Sequence, residues 1–279
     1  MKFELISFIR FNVKRCCRFE KMKIVEIDKD TEGTFFRCLH DEKPQDPEIA
    51  RIRQEWCVKM KPLGLRAKVL IEDNGDVVGL CQYLPIEHSP FEGKDMLAIL
   101  CMWIHGYEHL IGNQQGKGYG RFFLEHVEED AKKSGYQGVA VWGKDFPYWN
   151  PVSFYEHMGY SRADKDGNNV LVWKTWDDSA EVPKIKHVTL PEPKSKDKVN
   201  ITAFLCGWCI GEIEGALETR DVVKGIEDIA TSTVIDISSS PTIDGTVYID
   251  GNAYKADGPP YTIEEFKEDI VKTHKKKNQ

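Results

Sequence analysis

The stretch "GNQQGKGYGRFFLEHVEEDAKKSG", residues 112–135, decides how this chain is read. Four glycines fall within nine positions, and a run with apolar residues at helical spacing follows at once. Glycine lets a backbone turn tightly and approach a ligand closely. The first amides of a helix have no intrahelical partner, and the helix dipole stands behind them. A glycine turn feeding a helix is therefore a seat for phosphate, and spacing selects which one. A Walker loop needs Gly-x-x-x-x-Gly-Lys-Ser/Thr; here Gly112 to Gly116 is one residue short and Gly118 stands where the hydroxyl belongs. A dinucleotide fingerprint needs Gly-x-Gly-x-x-Gly in a βαβ unit, whereas these glycines run 116, 118, 120 and no parallel repetition surrounds them. What remains is Gln-x-x-Gly-x-Gly, filled by Gln115, Gly118 and Gly120, with Lys117 and Arg121 adding charge. The plain alternative is a tight loop that uses glycine for turn geometry alone. The helix beyond buries Phe123 or Leu124, Val127 and Ala131 on one face and stops at Gly135.

Outward from this motif the pattern is α/β. Upstream come the strand "MKIVEI" (22–27), helical runs at 31–42 and 47–60, and a hairpin over 66–87 around Asn74-Gly75. The apolar strand "DMLAILCMWIHG" (95–106) reads as buried on both faces. Downstream come a strand at 136–143, a short helix at 150–160 ending at Gly159, and a closing strand at 168–176. Residues 177–198 hold three prolines and many charges and read as a linker. A second pattern fills 199–279: the strand "VNITAFL", the motif "CGWC", a helix over 211–230, a strand at 232–239, a hairpin across Asp250-Gly251 and a helix at 262–277.

With 279 residues, 41% hydrophobic and 30% charged, the chain has the composition of a soluble globular protein with room for two domains. A net charge of −7 argues against a nucleic-acid partner. No apolar run approaches the ~20 residues of a membrane span. The opening apolar stretch is short, interrupted by Arg10 and without a cleavage site, so it does not read as a secretory signal. Met22 is an alternative start, and residues 1–21 form an N-terminal extension with no role assigned. Eight cysteines with no export signal point to a reducing cytoplasm; most stand singly in apolar surroundings.

Two further signatures join the glycine motif. "QQGKGYGRFFLEHV" resembles the CoA-pyrophosphate motif of the GCN5-related N-acetyltransferase (GNAT) superfamily, and "FYEHMGY" (154–160) is similar to its later Phe-Tyr-x-x-x-Gly-Phe signature. The order of elements over 22–176 agrees with that family. The resemblance implies a mixed sheet with flanking helices that splays open beside "MLAILCMWI", with acetyl-CoA as cosubstrate and its pyrophosphate on the run Gln115, Gly116, Lys117, Gly118, Tyr119, Gly120 and Arg121. It implies direct attack of a primary amine on the thioester. Backbone N–H groups near Trp103, Ile104 and His105 would then receive the oxyanion. Tyr155 aligns with the tyrosine that often protonates the leaving thiolate; its plain reading is a packed aromatic with a satisfied hydroxyl. Family members often carry an asparagine seven residues before that tyrosine. Position 148 is Tyr here, and Asn150, five before, reads as a helix cap ahead of Pro151. His105 and Glu108 are the candidate bases, against the reading that both decorate the long "HGYEHLIGN" loop.

Residues 199–275 resemble the thioredoxin-like fold, with Cys206 and Cys209 as a dithiol at a helix start, where the dipole would lower a thiol's pKa. The motif departs from the usual Trp-Cys-Gly-Pro-Cys, and Pro241 stands about two residues too early for a cis-proline before "TVYI". A working exchange site and a degenerate module that binds a protein partner or shapes the acceptor cleft remain open alternatives. One CxxC without a second pair is a weak metal signal, so no metal is assigned. The alternative to an enzyme is a non-catalytic acyl-CoA sensor acting through the second domain. The acceptor is not legible, because such contacts come from variable loops.

Overall fold

The computed structural model describes residues 22–39, 46–147, 150–187, 189–237, 247–254 and 262–279. The extension 1–21, Tyr148 and Pro241 lie outside the described residues. The first strand, β1 (Lys23–Glu26), leads into a short helix, α1 (Glu32–Phe36). The sequence pattern carries this helix to residue 42, but Cys38 and Leu39 take positive φ of 51° and 63° and end it early. The cause lies in the next helix, α2 (Pro47–Met60), which starts under an Asp46 side-chain cap. Its buried Arg53 donates to the carbonyls of Phe35 (3.2 Å) and Phe36 (2.7 Å). A cation on the last carbonyls of α1 satisfies them and meets the negative end of its dipole.

The hairpin β2 (Arg66–Ile71) and β3 (Val77–Pro85) turns where Gly75 takes φ +92°. The chain continues through β4 (Phe91–Glu92), the long β5 (Met96–Ile104), the glycine loop, helix α3 (Tyr119–Lys133) and β6 (Gly138–Lys144). Helix α4 (Val152–His157) precedes a hairpin of β7 (Ser161–Asp166) and β8 (Asn169–Thr175). The sequence reading missed β7. Its run "SRADKD" lacks an apolar face because it is an edge strand, where charge protects against unwanted pairing. The seven strands run β1-β2-β3-β5-β6-β8-β7, antiparallel throughout except for β5 beside β6.

Side-chain alternation divides this sheet into two faces. Cys81, Tyr83, Ile99, Val139 and Val141 pack under α3 and α4, together with Phe123, Val127 and Tyr155. Leu80, Leu84 and Leu100 point to the other face, under α1 and α2. The stretch read as a linker is not structureless: β9 (Lys184–Ile185) pairs with β4, Ile185 is buried, and its N–H donates to Asp164 Oδ2 at 2.9 Å.

The C-terminal half comprises β10 (Val199–Leu205), α5 (Ile210–Val222), β11 (Ala230–Asp236), β12 (Tyr248–Ile249), β13 (Asn252–Ala253) and α6 (Ile263–Lys277). Its sheet order is β11-β10-β12-β13, with β10 and β11 parallel and the other pairs antiparallel. Helix α5 stops eight residues short of its sequence-read end at 230: Ala230 already opens β11, and the turn between carries Gly225 at φ +83°. Helix α6 starts in a reciprocal cap between Thr262 and Glu265. The two halves share a core. Phe204, Cys206, Trp208 and Ile237 pack with Trp56, Met60, Leu80 and Leu100 on the α1–α2 face of the large sheet.

Candidate active site

The decisive geometry lies between the two parallel neighbours at the centre of the sheet. Strands β5 and β6 pair only from Met96 with Gly138 to Ile99 with Val141, although β5 runs on to Ile104 and β6 to Lys144. From that point they part as a wedge. At its apex the Trp142 indole N–H reaches across to the Leu100 carbonyl at 2.9 Å. The register of β5 on β3 slips in the same place: Ile99 faces Tyr83 and Cys101 faces Gln82, so Leu100 is the extra residue of a bulge. A bulge turns backbone groups out of the ladder.

The open end of the wedge leads into the glycine turn. Gly116 and Gly118 have φ of +75° and +90°, values that glycine adopts without strain. Gly118 is the N-cap of α3, and Gln115, Gly116 and Gly118 are exposed, so side chains do not occlude the turn. A Cβ on Gly120 would come within 3.3 Å of Phe154, which accounts for that glycine by packing. Gln115 turns back to the end of β5, its Nε2 donating to the Ile104 carbonyl at 3.4 Å, while its N–H bonds Asn113 Oδ1 at 2.9 Å. Lys117 bonds the Gln114 side chain, and the Tyr119 hydroxyl bonds Glu72. The row of backbone amides at the start of α3, with Lys117 held beside it, could seat an anion.

The candidate catalytic residues fall in different settings. Tyr155 is buried, and its hydroxyl donates to Asn150 Oδ1 at 2.9 Å. Burial raises its pKa, and the nearby Cys81 and Cys101 raise it further. Asn150 does not cap the short helix: Pro151 is the N-cap, and no side chain caps it. Asn150 instead has φ +42° and donates Nδ2 to the Trp142 carbonyl at 2.9 Å, linking β6 at the wedge to the Tyr155 hydroxyl. His105 is 1% exposed; Nδ1 donates to the Gly112 carbonyl at 3.0 Å, and Nε2 has no hydrogen-bond partner among the described residues. Its backbone N–H, one of the expected oxyanion donors, is spent on the Val78 carbonyl at 3.0 Å. Trp103 and Ile104 sit opposite Leu80 and Gly79 in the ladder. Glu108 is exposed on the loop, with Asn113 Nδ2 at 3.5 Å. Sequence reasoning missed Leu100 and Trp142, since a bulge has no residue signature and an indole in a strand reads as core.

Residues 25–160 match the model of the acetyltransferase (GNAT) family. They are a GNAT acetyltransferase domain. The protein is accordingly an acyltransferase, and acetyl-CoA as cosubstrate fits that family. An uncharacterised N-acetyltransferase, YoaP, of Bacillus subtilis (strain 168) is 26% identical over 249 residues, covering 82% of this chain and 92% of its own. Among solved structures, the PaiA N-acetyltransferase of Thermoplasma acidophilum in complex with coenzyme A is 17% identical, covers 56% of this chain and 99% of its own, and has a TM-score of 0.40. The spermidine N-acetyltransferase of Vibrio cholerae in complex with CoA and spermine is 14% identical, with coverages of 56% and 95% and a TM-score of 0.41. With scores that low, neither likeness bears on the site. Among the described residues no helix is long and apolar enough to cross a membrane.

The acetyltransferase domain meets Cys206-Gly-Trp-Cys209 directly. The Trp208 carbonyl accepts from Gln82 Nε2 at 2.8 Å, and the Trp208 ring packs against Trp56 at an interplanar angle of 56°, with centroids 6.2 Å apart. Gly207 lies against Trp56, where a Cβ would fall 2.1 Å from Cγ. Both thiols are free. The expectation of a lowered thiol pKa is reversed. Burial drives Cys206 well up and pushes Cys209 up to about 12, and the neighbouring Glu212 carboxylate adds to both. Five of the described cysteines, Cys38, Cys57, Cys101, Cys206 and Cys209, belong to one apolar cluster, with Arg53 donating to Cys38 Sγ at 3.0 Å.

Proposed function

We propose that the chain transfers an acetyl group from acetyl-CoA to a primary amine by direct attack, with the pyrophosphate on the turn from Gln115 to Arg121 and the pantetheine arm between β5 and β6. The observation that carries this is the parting of β5 from β6 after Ile99 and Val141, with an exposed glycine turn and a helix N-terminus at its open end. Helix amides and the dipole behind them suit a diphosphate. The Leu100 bulge, rather than the engaged His105 amide, is the better source of donors to the oxyanion.

Tyr155 is the proton donor to the leaving thiolate in this reading. A phenol whose pKa is raised by burial stays protonated, and Asn150 holds its hydroxyl on the side of β6 that faces the wedge. His105 fits a structural role, since its ring and backbone close the loop from 105 to 114. Glu108 stands on the outside of that loop.

We read residues 199–279 as a thioredoxin-like module whose task is to cover the acceptor side of the sheet. The strand order, one parallel pair and two antiparallel ones with a helix after β10, supports that reading. The raised pKa of both thiols and the burial of Cys206 weigh against disulfide exchange. The test is thiol release from acetyl-CoA over a set of small primary amines, alongside calorimetric binding of acetyl-CoA. Turnover with at least one amine is expected. Tight binding with no turnover for any amine would make the chain a sensor, and no binding at all would remove the site.

A further inference from the structure

The loop 105–114, between the end of β5 and the glycine turn, carries a row of aromatic rings at the mouth of the wedge. It is closed on itself. The Gln114 N–H donates to the His105 carbonyl at 2.8 Å, His105 Nδ1 bonds the Gly112 carbonyl at 3.0 Å, and the Gly112 N–H donates to the His109 carbonyl at 3.1 Å. Gln115 then reaches back to the Ile104 carbonyl, so both ends of the loop are fastened where β5 leaves β6. The rings begin on the wall of the wedge. Trp103, half-buried on the parted segment of β5, has the Tyr107 ring 6.1 Å away. The His109 ring stacks on Tyr107, with centroids 5.1 Å apart and planes within 11°. The His105 ring meets Tyr107 edge-on at 5.6 Å and His109 at 6.3 Å. Tyr107 is 37% exposed and His109 is exposed, so the row runs from the sheet out to solvent.

The position of these rings selects between the two substrates. Helix α3 packs on one face of the sheet; Trp103 on the β5 wall and Trp142 on the β6 wall stand on the opposite face. The pyrophosphate belongs with α3, so the opposite face is left to the acceptor. Two polar atoms on that face point the same way. Trp103 Nε1 is buried with no hydrogen-bond partner among the described residues, and so is Oε1 of Gln82, the cross-strand neighbour of Cys101. A core normally satisfies such groups, and an open donor and acceptor beside a substrate channel suit a polar ligand atom. Building on the transferase reading above, we propose that Trp103, Tyr107 and His109 form the acceptor subsite and that it takes a primary amine carrying a flat aromatic group. The ring of the acceptor lies against Trp103 and Tyr107, in the offset or edge-on arrangements that aromatic pairs prefer. A short aliphatic arm then carries its amine along β5 to the thioester. The hydrogen bonds within the loop hold the rings in place before the acceptor arrives, which reduces the ordering cost of binding. A loop of this length on a rigid strand is also a usual carrier of specificity.

The test follows thiol release from acetyl-CoA with 2-phenylethylamine, 2-cyclohexylethylamine and ethylamine as acceptors, in wild type, Y107L and H109L. The first two amines match in size and differ in whether the ring is aromatic; ethylamine has no ring. In wild type, kcat/KM for 2-phenylethylamine should exceed that for 2-cyclohexylethylamine by about 2- to 13-fold and that for ethylamine by at least about tenfold. Y107L should bring the first ratio close to one while sparing the ethylamine rate and the acetyl-CoA affinity, and H109L should lower the same ratio. Both side chains are exposed on a loop, so the variants keep the core intact. Equal kcat/KM for the two ringed amines in wild type would refute the aromatic subsite, as would ethylamine serving as well as either. An equal loss with all three amines in Y107L would reduce the ring to holding the loop. A fall in acetyl-CoA affinity in Y107L would assign the rings to the adenine of the cosubstrate and overturn the proposal. In each of these cases turnover leaves the transferase reading standing. A wild type that binds acetyl-CoA but acetylates no amine overturns that reading first, and one that binds no acetyl-CoA removes the site.

Discussion

Replacing Gly207 with alanine tests how the two halves are joined. A Cβ there would fall 2.1 Å from Trp56 Cγ, 2.2 Å from its Cβ and 2.4 Å from Cδ1. Carbon atoms in contact sit about 3.5–4.0 Å apart, so Trp56 would have to withdraw by more than ~1 Å. It has little room, being 4% exposed and packed against Trp208. Overpacking of this kind costs about 1–3 kcal/mol. Taken as local opening of the interface, that cost raises the open population about 5- to 150-fold. Thiol labelling reads it directly. With the Cys209 thiol pushed up to about 12, only ~10⁻⁴ of it is thiolate at pH 8, against about a quarter of a free cysteine near 8.5. In the closed form these two thiols react slowly, and labelling of Cys206 and Cys209, followed site by site by mass spectrometry, reports opening. G207A should speed labelling by about 5- to 150-fold and lower Tm by roughly 2–4 °C per kcal/mol lost. Unchanged labelling and melting would mean that Gly207 does not lie on Trp56 and that the shared core is misassigned.

Gly118→Val forces a β-branched residue to φ +90° at the start of α3, at a strain of roughly 1–2 kcal/mol, and fills space against the amides. Acetyl-CoA affinity by calorimetry should fall at least about tenfold, and unaltered affinity would count against the pyrophosphate seat. Tyr155→Phe leaves Asn150 without its phenol partner and should lower kcat about 10- to 100-fold while sparing acetyl-CoA affinity; an unchanged rate removes Tyr155 from the chemistry. Asp130 gives a pH prediction. Burial raises its pKa, but hydrogen bonds from Tyr83 and Lys68 and the Lys68 charge outweigh that and hold it at about 2. A depressed carboxyl stabilises fully above its unfolded value of ~3.9 and loses that contribution as pH falls through about 2; for this partly buried group it amounts to about 2 kcal/mol. The difference in Tm between wild type and D130N should therefore shrink from pH 5 to pH 2, and a constant gap would refute the assignment.

The elements that were legible in sequence are those whose signal is local. The Asn74-Gly75 turn, the glycine loop and the amphipathic α3 stand where their residues place them, because φ preferences and helical spacing act over a few residues. What could not be read depends on partners far along the chain. Helix α1 ends early because Arg53, from the following helix, caps Phe35 and Phe36. Asn150 looks like a cap beside Pro151, yet its amide is committed to Trp142 and Tyr155. Strand β7 hides because an edge carries charge instead of alternation. The wedge itself is a matter of pairing register, and register leaves no mark on either strand alone.

The same contrast explains the CGWC motif. Its spacing and its place before a helix suggest an exchangeable dithiol, and a helix N-terminus alone would favour thiolate. Desolvation opposes the dipole here and wins, because the turn is pressed against Trp56 and Gln82 instead of facing water. A nucleophilic thiol must be ionised and reachable by a disulfide; desolvation opposes ionisation of both thiols, and Cys206 is buried. Each residue of the motif has another use in this setting. Gly207 has no side chain and admits the Trp56 ring; Trp208 supplies a carbonyl to Gln82 and an aromatic face to Trp56; the cysteines fill apolar space beside Cys101. Gln82 is the cross-strand neighbour of Cys101 at the bulge, so the turn holds the acetyltransferase sheet at the point where β5 leaves β6. A contact at that point fixes the first turn of α5 relative to the wedge.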